Sequence, residues 1–169
     1  MARLDRRGLD FGYTNDPSAL IDIYRYNGGF IFDEVFYQKG LSNKQIADII
    51  NNTVNPKIPV YADSAEPKSI DEIRLHGIPI VPAVKGRGSV NQGIQFIQDQ
   101  KIMVTKRSTN IIKEYRRYLW EVDRNGESSN VPIDLYNHAM DAIRYGLTGY
   151  RERTKEKSYT PNFKSYKRV

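Results

Sequence analysis

The chain has no cysteine, and only two of its 169 residues are histidine. The missing cysteines exclude disulfides, thiolate metal sites and cysteine nucleophiles, and two histidines argue against a histidine-rich zinc site. The sequence also lacks the Gly-x-Ser-x-Gly motif of a serine nucleophile and the Gly-x-x-x-x-Gly-Lys-Ser/Thr motif of a phosphate-binding loop. Thiol chemistry, a serine triad and nucleotide binding by that loop are therefore excluded.

Long apolar runs are missing as well. No stretch approaches the length of a membrane span, and residues 1–7 lack the apolar centre of a signal peptide. The chain is long enough for one domain with a real core. We therefore expect one globular domain and no membrane association.

Charge is unevenly spread along the chain. Residues 151–169 carry +5 of the net charge of +6, so the basic character is mostly a property of the C-terminal end. A basic tail suits nucleic acid but is also a common solubilising end. We expect a folded domain over residues 1–150 and a basic, flexible tail over residues 151–169.

Apolar periodicity predicts the order of the elements. Residues 5–12, 19–26 and 30–38 are predicted strands, the last two joined by a turn at Asn27–Gly29. Further strands are predicted at 58–62, 78–81, 102–104 and 120–123, the last with a hairpin turn at 124–127, and helices at 42–52, 64–75, 89–99, 109–119 and 132–150. A three-strand antiparallel meander followed by alternating strands and helices predicts an α/β protein with a mixed sheet flanked by helices.

Two aspartates interrupt short apolar strands. Asp10 lies in Gly8-Leu9-Asp10-Phe11-Gly12, and Asp63 closes the run Val60-Tyr61-Ala62. Each could simply cap a turn or a following helix, but neighbouring strands would bring the two carboxylates together. Because buried carboxylates require compensating positive charge, the pair favours a divalent metal site.

The last predicted helix carries a third carboxylate. Asp134, His138, Asp141 and Tyr145 fall on one helical face, beside an apolar face that packs. We interpret Asp134 as a helix cap and Asp141 as a metal ligand. His138 is either a ligand, a residue that supports one, or a bystander.

Acidic residues on the first strand, the fourth strand and a late helix are arranged as in the RNase H-like fold. Aspartate oxygens suit Mg²⁺ or Mn²⁺. Two such ions, roughly 3.5–4 Å apart, can activate water and stabilise the leaving oxygen in phosphodiester hydrolysis. Nearby, Lys85 and Arg87 lie in a glycine-punctuated loop that either contacts phosphate or is a solvated surface loop.

Four segments, in order, resemble the C-terminal nuclease domain of the large terminase subunit of tailed double-stranded DNA phages. They are Gly8–Gly12, Tyr61-Ala62-Asp63-Ser64-Ala65-Glu66-Pro67, the Val84–Ser89 loop and Asp134–Tyr145. The resemblance covers the chain to about Tyr150. It implies an RNase H-like endonuclease that cuts concatemeric viral DNA during packaging.

The resemblance also implies site residues and partners. It gives Asp10, Asp63 and Asp141 as the acidic catalytic ligands, with His138 near two divalent ions, Mg²⁺ or Mn²⁺. It implies an ATPase motor domain in the same longer chain, double-stranded DNA as substrate, the small terminase subunit and the portal protein as partners, and the cytoplasm of the infected bacterium as the location. The hairpin predicted around Arg124–Gly126 would help guide DNA.

Two alternatives remain open at this point. One is a different RNase H-like nuclease, such as a resolvase. The other is a DNA-binding assembly module that keeps the fold without turnover, against which the three separated carboxylates argue.

Overall fold

Three antiparallel strands open the fold, in a computed structural model that describes residues 1–12, 15–125 and 137–150. They are β1 (Arg3–Asp10), β2 (Ser18–Tyr26) and β3 (Gly29–Gln38). Asn27 and Gly28, with φ angles of 49° and 76°, form the tight turn between β2 and β3. An Asn-Gly pair favours such a turn because both residues tolerate positive φ. The predicted meander is confirmed.

Three short strands extend the meander on both sides. They are β4 (Val60–Ala62), β5 (Ile80–Pro82) and β6 (Ile102–Val104). The strand order is β5-β4-β1-β2-β3-β6, in which β4 runs parallel to β1, β5 parallel to β4, and β6 parallel to β3. The predicted mixed sheet is therefore confirmed, and β1 and β4 are direct neighbours.

Helices cover both faces of this sheet. They are α1 (Asn43–Asn51), α2 (Pro67–Leu75), α3 (Ser89–Gln98), α4 (Thr109–Asn125) and α5 (His138–Gly146). Isoleucines of α1 and α2 pack with Leu9, Leu20 and Val60 on one face. Residues of α3, α4 and α5 pack with Ile21, Ile23 and Phe32 on the other. In the parts of the chain that the structure describes, no helix is long and apolar enough to cross a membrane.

Two predicted elements differ from the structure. The strand predicted at 120–123 is wrong, because α4 continues as a helix through Asn125. Of the hairpin turn predicted at 124–127, the first two residues are helical and the last two lie outside the described residues. The last helix was predicted from Pro132, but it begins at His138, since Asn137 has the non-helical backbone angles of a helix cap (φ −115°, ψ 23°). It also ends at Gly146 rather than near Tyr150. Asp134, Gly126 and the tail after Tyr150 lie outside the described residues.

Candidate metal centre and nucleic-acid groove

Asp10 and Asp63 lie at the same edge of the sheet. Leu9 of β1 pairs with Ala62 of β4 in parallel register. Asp10 directly follows Leu9, and Asp63 directly follows Ala62. The backbone N–H of Asp63 donates to the carbonyl of Leu9 at 3.2 Å, which extends the pairing to the aspartate. The sequence prediction that these two strands lie side by side is confirmed.

Glycine lets α5 approach β1 closely. A Cβ atom on Gly8 would lie 1.8 Å from the carbonyl oxygen of Ala142, and one on Gly146 would lie 3.1 Å from the Gly8 backbone. No larger side chain fits between the strand and the helix at this crossing. The contact places Asp141, one residue before Ala142, beside the strand that ends in Asp10.

The charges of the three carboxylates affect one another. The pKa of Asp10 is raised to about 6, mainly by burial; the negative charges of Asp141 and Asp63 add to the rise, and the hydrogen bond with His138 opposes it. The pKa of the buried Tyr145 phenol is also raised, first by burial and then by the charges of Asp141, Asp63 and Asp10. The structure therefore brings the three predicted carboxylates into one electrostatic neighbourhood around Tyr145.

His138 forms a hydrogen bond with Asp10. Its Nδ1 lies 2.9 Å from Asp10 Oδ2, and its Nε2 lies 3.9 Å from Asp16 Oδ1. The hydrogen bond to Asp10 is the main reason that the pKa of His138 is raised, and it outweighs the opposing effect of burial. His138 is therefore part of the cluster and not a bystander on the surface.

Asp63 and Asp141 each have a basic partner as well. Lys85 forms an ion pair with Asp63, and Arg144 Nη2 lies 2.8 Å from Asp141 Oδ1. Asp63 also accepts a hydrogen bond from the backbone N–H of Ala65 at 2.9 Å, so it caps a turn as the simpler interpretation expected. Its carboxylate serves both as a turn cap and as a member of the cluster.

The donor set suits a hard divalent cation, because it is made of carboxylate oxygens and one imidazole. Even so, no three Asp, Glu or His side chains among the described residues lie close enough together to hold a metal ion. Cationic partners offset the negative charge instead. The residue types therefore suit a divalent ion, while in this structure Lys85 and Arg144 pair with two of the carboxylates.

An open groove of about 560 Å³ is lined by Lys85 and Arg144, the basic partners of Asp63 and Asp141. The loop that precedes α3, α3 itself and the C-terminal part of α5 form its walls. Lys85, Arg87 and Arg144 supply positive charge. Open space surrounds Gly86, whereas Gly93 packs against the side chain of Arg144. Lys85 Nζ also lies 5.5 Å from the centre of the Tyr145 ring. Both predicted phosphate-contacting residues therefore line one groove next to the cluster.

Three residues around the site were not predicted from the sequence. Arg144 lies three residues after Asp141, a spacing typical of a helical ion pair, but it was not singled out. Glu114 and Tyr37 are joined by a 2.9 Å hydrogen bond behind His138. Glu114 could have been noticed in the sequence, because it lies three residues after Ile111 and so falls on the predicted apolar face of this helix.

Comparison with known proteins assigns this architecture to a family. The model of the terminase RNase H-like domain matches residues 10–148. The terminase large subunit of Bacillus phage SPP1 is 36% identical over 156 residues, which cover 87% of this chain and 37% of that protein. The PBSX phage terminase large subunit of Bacillus subtilis is 29% identical over 169 residues, covering 93% of this chain and 38% of that protein. The chain therefore spans less than two fifths of these relatives.

Solved structures agree with the sequence comparisons. The nuclease domain of the SPP1 large terminase with bound Mn has a TM-score of 0.70 and 32% identity, and the match covers 84% of both chains. The large terminase of a thermophilic bacteriophage in complex with ATP-gamma-S, at 19% identity, has the same fold with a TM-score of 0.65, covering 86% of this chain and 40% of that one. From its sequence, its fold and the family model that matches most of its length, the chain belongs to the terminase RNase H-like domain family.

Proposed function

We propose that this domain is a divalent-metal-dependent endonuclease that cuts concatemeric double-stranded viral DNA during genome packaging. The observation that carries the proposal is the convergence of β1, β4 and α5, which places Asp10 and Asp63 at the ends of paired strands and Asp141 on the helix that crosses β1 at Gly8. The Mn in the related SPP1 nuclease domain supports a divalent ion at this site. Mg²⁺ or Mn²⁺ would be the natural choice for carboxylate oxygens.

Asp10, Asp63 and Asp141, with His138, would hold two ions. Such ions supply positive charge at the attacking and leaving oxygens of an in-line displacement at phosphorus. Asp10 would hold an ion as the ionised carboxylate, so its proton must be lost when metal binds. The hydrogen bond from His138 Nδ1 fixes the orientation of the Asp10 carboxylate.

Lys85, Arg87 and the groove beside them would bind the DNA backbone. Lys85 would move from Asp63 to a phosphate when metal occupies the cluster, because the ions then satisfy the carboxylate. The described residues include no recognition helix of the helix-turn-helix type, so contacts fall mainly on phosphates. This predicts cutting with little sequence preference by the isolated domain.

The longer relatives support further partners. We propose that an ATPase motor domain belongs to the same longer chain, and that the small terminase subunit and the portal protein bring it to its DNA. The reaction would take place in the cytoplasm of the infected bacterium. Within this chain, residues 1–150 would form the nuclease domain and residues 151–169 a basic tail.

The direct test is cleavage of plasmid DNA with Mn²⁺ or Mg²⁺, compared with EDTA. Wild-type protein should linearise and degrade the plasmid only with metal, and Asp10→Asn, Asp63→Asn and Asp141→Asn should each abolish this. Asp71→Asn is the matched control, because Asp71 is exposed on α2 and pairs with Arg74 of the same helix. Cleavage that survives all three site substitutions would refute the assignment.

A branched substrate separates this proposal from a resolvase. A resolvase should cut a four-way junction far faster than a linear duplex of the same sequence, whereas a packaging nuclease should cut both at similar rates. DNA binding without cleavage in any metal would favour the assembly module.

A further inference from the structure

The start of α5 is stabilised from outside the helix. The first amides of any helix lack partners within it, and the side chain of Asn137, at the cap position, supplies no capping hydrogen bond. His138 and Asp141 both lie in this first turn. The position of the turn therefore sets the positions of two residues of the cluster.

Glu114 of α4 takes the role of the cap. Its Oε2 accepts a hydrogen bond from the backbone N–H of Met140 at 2.9 Å, and the residue is only 4% exposed. A carboxylate at a helix N-terminus also interacts favourably with the helix dipole. Burial raises the pKa of Glu114 to about 7, so this charge is present at mildly alkaline pH. Glu114 thus combines a hydrogen bond and a favourable charge at the turn that carries His138 and Asp141.

The second oxygen of Glu114 links this turn to the sheet. Oε1 accepts a hydrogen bond from the Tyr37 hydroxyl of β3 at 2.9 Å. The Tyr37 ring contacts the His138 ring edge-on, with 6.2 Å between ring centres. The Glu114 carboxylate therefore connects α4, α5 and β3, next to the His138 ring that forms a hydrogen bond with Asp10.

We propose that Glu114 is a positioning residue of the metal centre, which holds the first turn of α5 so that His138 and Asp141 face Asp10. It acts through the backbone of Met140 and through Tyr37, and it does not contact the metal or the DNA. This inference rests on the proposed function, because it assigns Glu114 to the same centre.

The test compares three variants with a matched control. Glu114→Ala removes both hydrogen bonds, Glu114→Gln keeps the shape and one carbonyl oxygen, and Tyr37→Phe removes only the hydroxyl. Ser42→Ala is the control, because Ser42 caps the distant helix α1 through the N–H of Gln45. That control loses a helix cap of similar kind without touching the centre.

Two measurements are needed, one of them independent of metal. Hydrogen exchange in metal-free protein should show the Met140 amide exchanging about ten times faster in Glu114→Ala, as the loss of a helix cap implies, with α1 unchanged. Calorimetric titration with Mn²⁺ should show affinity lower by about 10–100-fold, the usual cost of removing an outer partner of a metal ligand. Glu114→Gln and Tyr37→Phe should fall between Glu114→Ala and wild type, and Ser42→Ala should bind Mn²⁺ as wild type does.

The outcomes are separable. An unchanged Met140 amide in Glu114→Ala, or Mn²⁺ affinity no lower than in Ser42→Ala, would overturn the proposal. If Glu114→Ala does not fold, the graded order of Glu114→Gln and Tyr37→Phe decides in its place. If wild-type protein binds no Mn²⁺ at all, the proposed function fails, and the exchange result alone decides whether Glu114 holds the helix.

Discussion

At the residue scale, the cluster is a set of acids that each have a basic partner. Asp10 contacts His138, Asp63 pairs with Lys85, and Asp141 pairs with Arg144. Asp10 and Asp63 were predictable because an aspartate that ends an apolar strand is an unusual local pattern, and Asp141 because it shares a helical face with His138. The pairing of Lys85 with Asp63 was not predictable, since Lys85 reaches Asp63 only through the packing of β5 and the following loop against β4.

The pH dependence of stability follows from Asp10, His138 and Glu114, and Glu114, whose pKa burial raises to about 7, loses its stabilising proton as the pH rises through that value. The folded pKa of Asp10 is raised from 3.8 to about 6, mainly by burial, so its stabilising proton is fully present below pH 3.8 and is lost as the pH rises through about 6. The pKa of His138 is raised above 6.5, first by its hydrogen bond to Asp10, so its contribution is lost at higher pH in the same direction. Metal-free wild type should therefore lose stability as the pH rises from about 4 to the alkaline side of neutrality.

Asp10→Asn removes the buried charge that causes much of this loss. The melting temperature of this variant should vary less over the same pH range. At about pH 8 it should equal or exceed that of metal-free wild type, because the substitution removes the charge that the neighbouring carboxylates of Asp63 and Asp141 repel. Thermal melts in EDTA at several pH values measure the difference. A variant clearly less stable than wild type at the alkaline end would contradict this assignment of Asp10.

At the element scale, the site depends on two contacts between neighbouring elements. The parallel pairing of β1 with β4 aligns Asp10 and Asp63, and the crossing of α5 over Gly8 brings Asp141 to them. The first contact was predictable from two short apolar runs. The start of α5 was not, because Pro132 and Asp134 resemble a helix start while the described helix begins only at His138.

The strand predicted at 120–123 failed for a related reason. Trp120 and Val122 favour strands, but strand propensity depends strongly on context. In this chain the helical pattern of α4 continues across them through Asn125. Local preference was overruled by the helix that had already begun at Thr109.

Gly8→Ala tests the crossing of α5 over β1. The new Cβ would overlap the carbonyl of Ala142, so the strand and the helix must separate, at a cost of about 1–3 kcal/mol in the free energy of unfolding. Mn²⁺ should also stabilise this variant less than wild type, since Asp141 moves away from Asp10. Gly86→Ala is the control, because open space surrounds that glycine. Equal urea midpoints for both variants would argue against a close crossing at this point.

At the scale of the whole molecule, acidic and basic residues occupy different places. The acidic cluster lies beside the groove, Lys85 and Arg87 line its wall, and most of the net charge lies in residues 151–169. Fold class and cluster could be predicted from sequence because each depends on patterns within short segments. The groove could not, because α3 and α5 form it from distant parts of the chain.

DNA affinity should fall steeply with salt, because each phosphate contact releases counterions. Lys85→Ala and Arg87→Ala should each reduce the slope of log affinity against log salt by about one, equally on all sequences. Deletion of residues 151–169 should reduce the slope further. Fluorescence anisotropy on an uncleavable duplex in Ca²⁺ measures these slopes. Lys44→Ala is the control, because Lys44 is exposed on α1 and pairs with Asp48. If Lys44→Ala changes the slope as much as Arg87→Ala does, the groove is not the DNA-binding surface.

Above all, we propose that Asp10, Asp63 and Asp141 together bind divalent metal. A crystal soaked in Mn²⁺ and measured at the manganese absorption edge tests it most directly, because anomalous scattering locates the ions without assumptions about activity. We expect anomalous peaks between these three carboxylates, Lys85 withdrawn from Asp63, and no peaks there in Asp10→Asn crystals. Manganese bound only elsewhere, or no peak among the three carboxylates at saturating Mn²⁺, would contradict it.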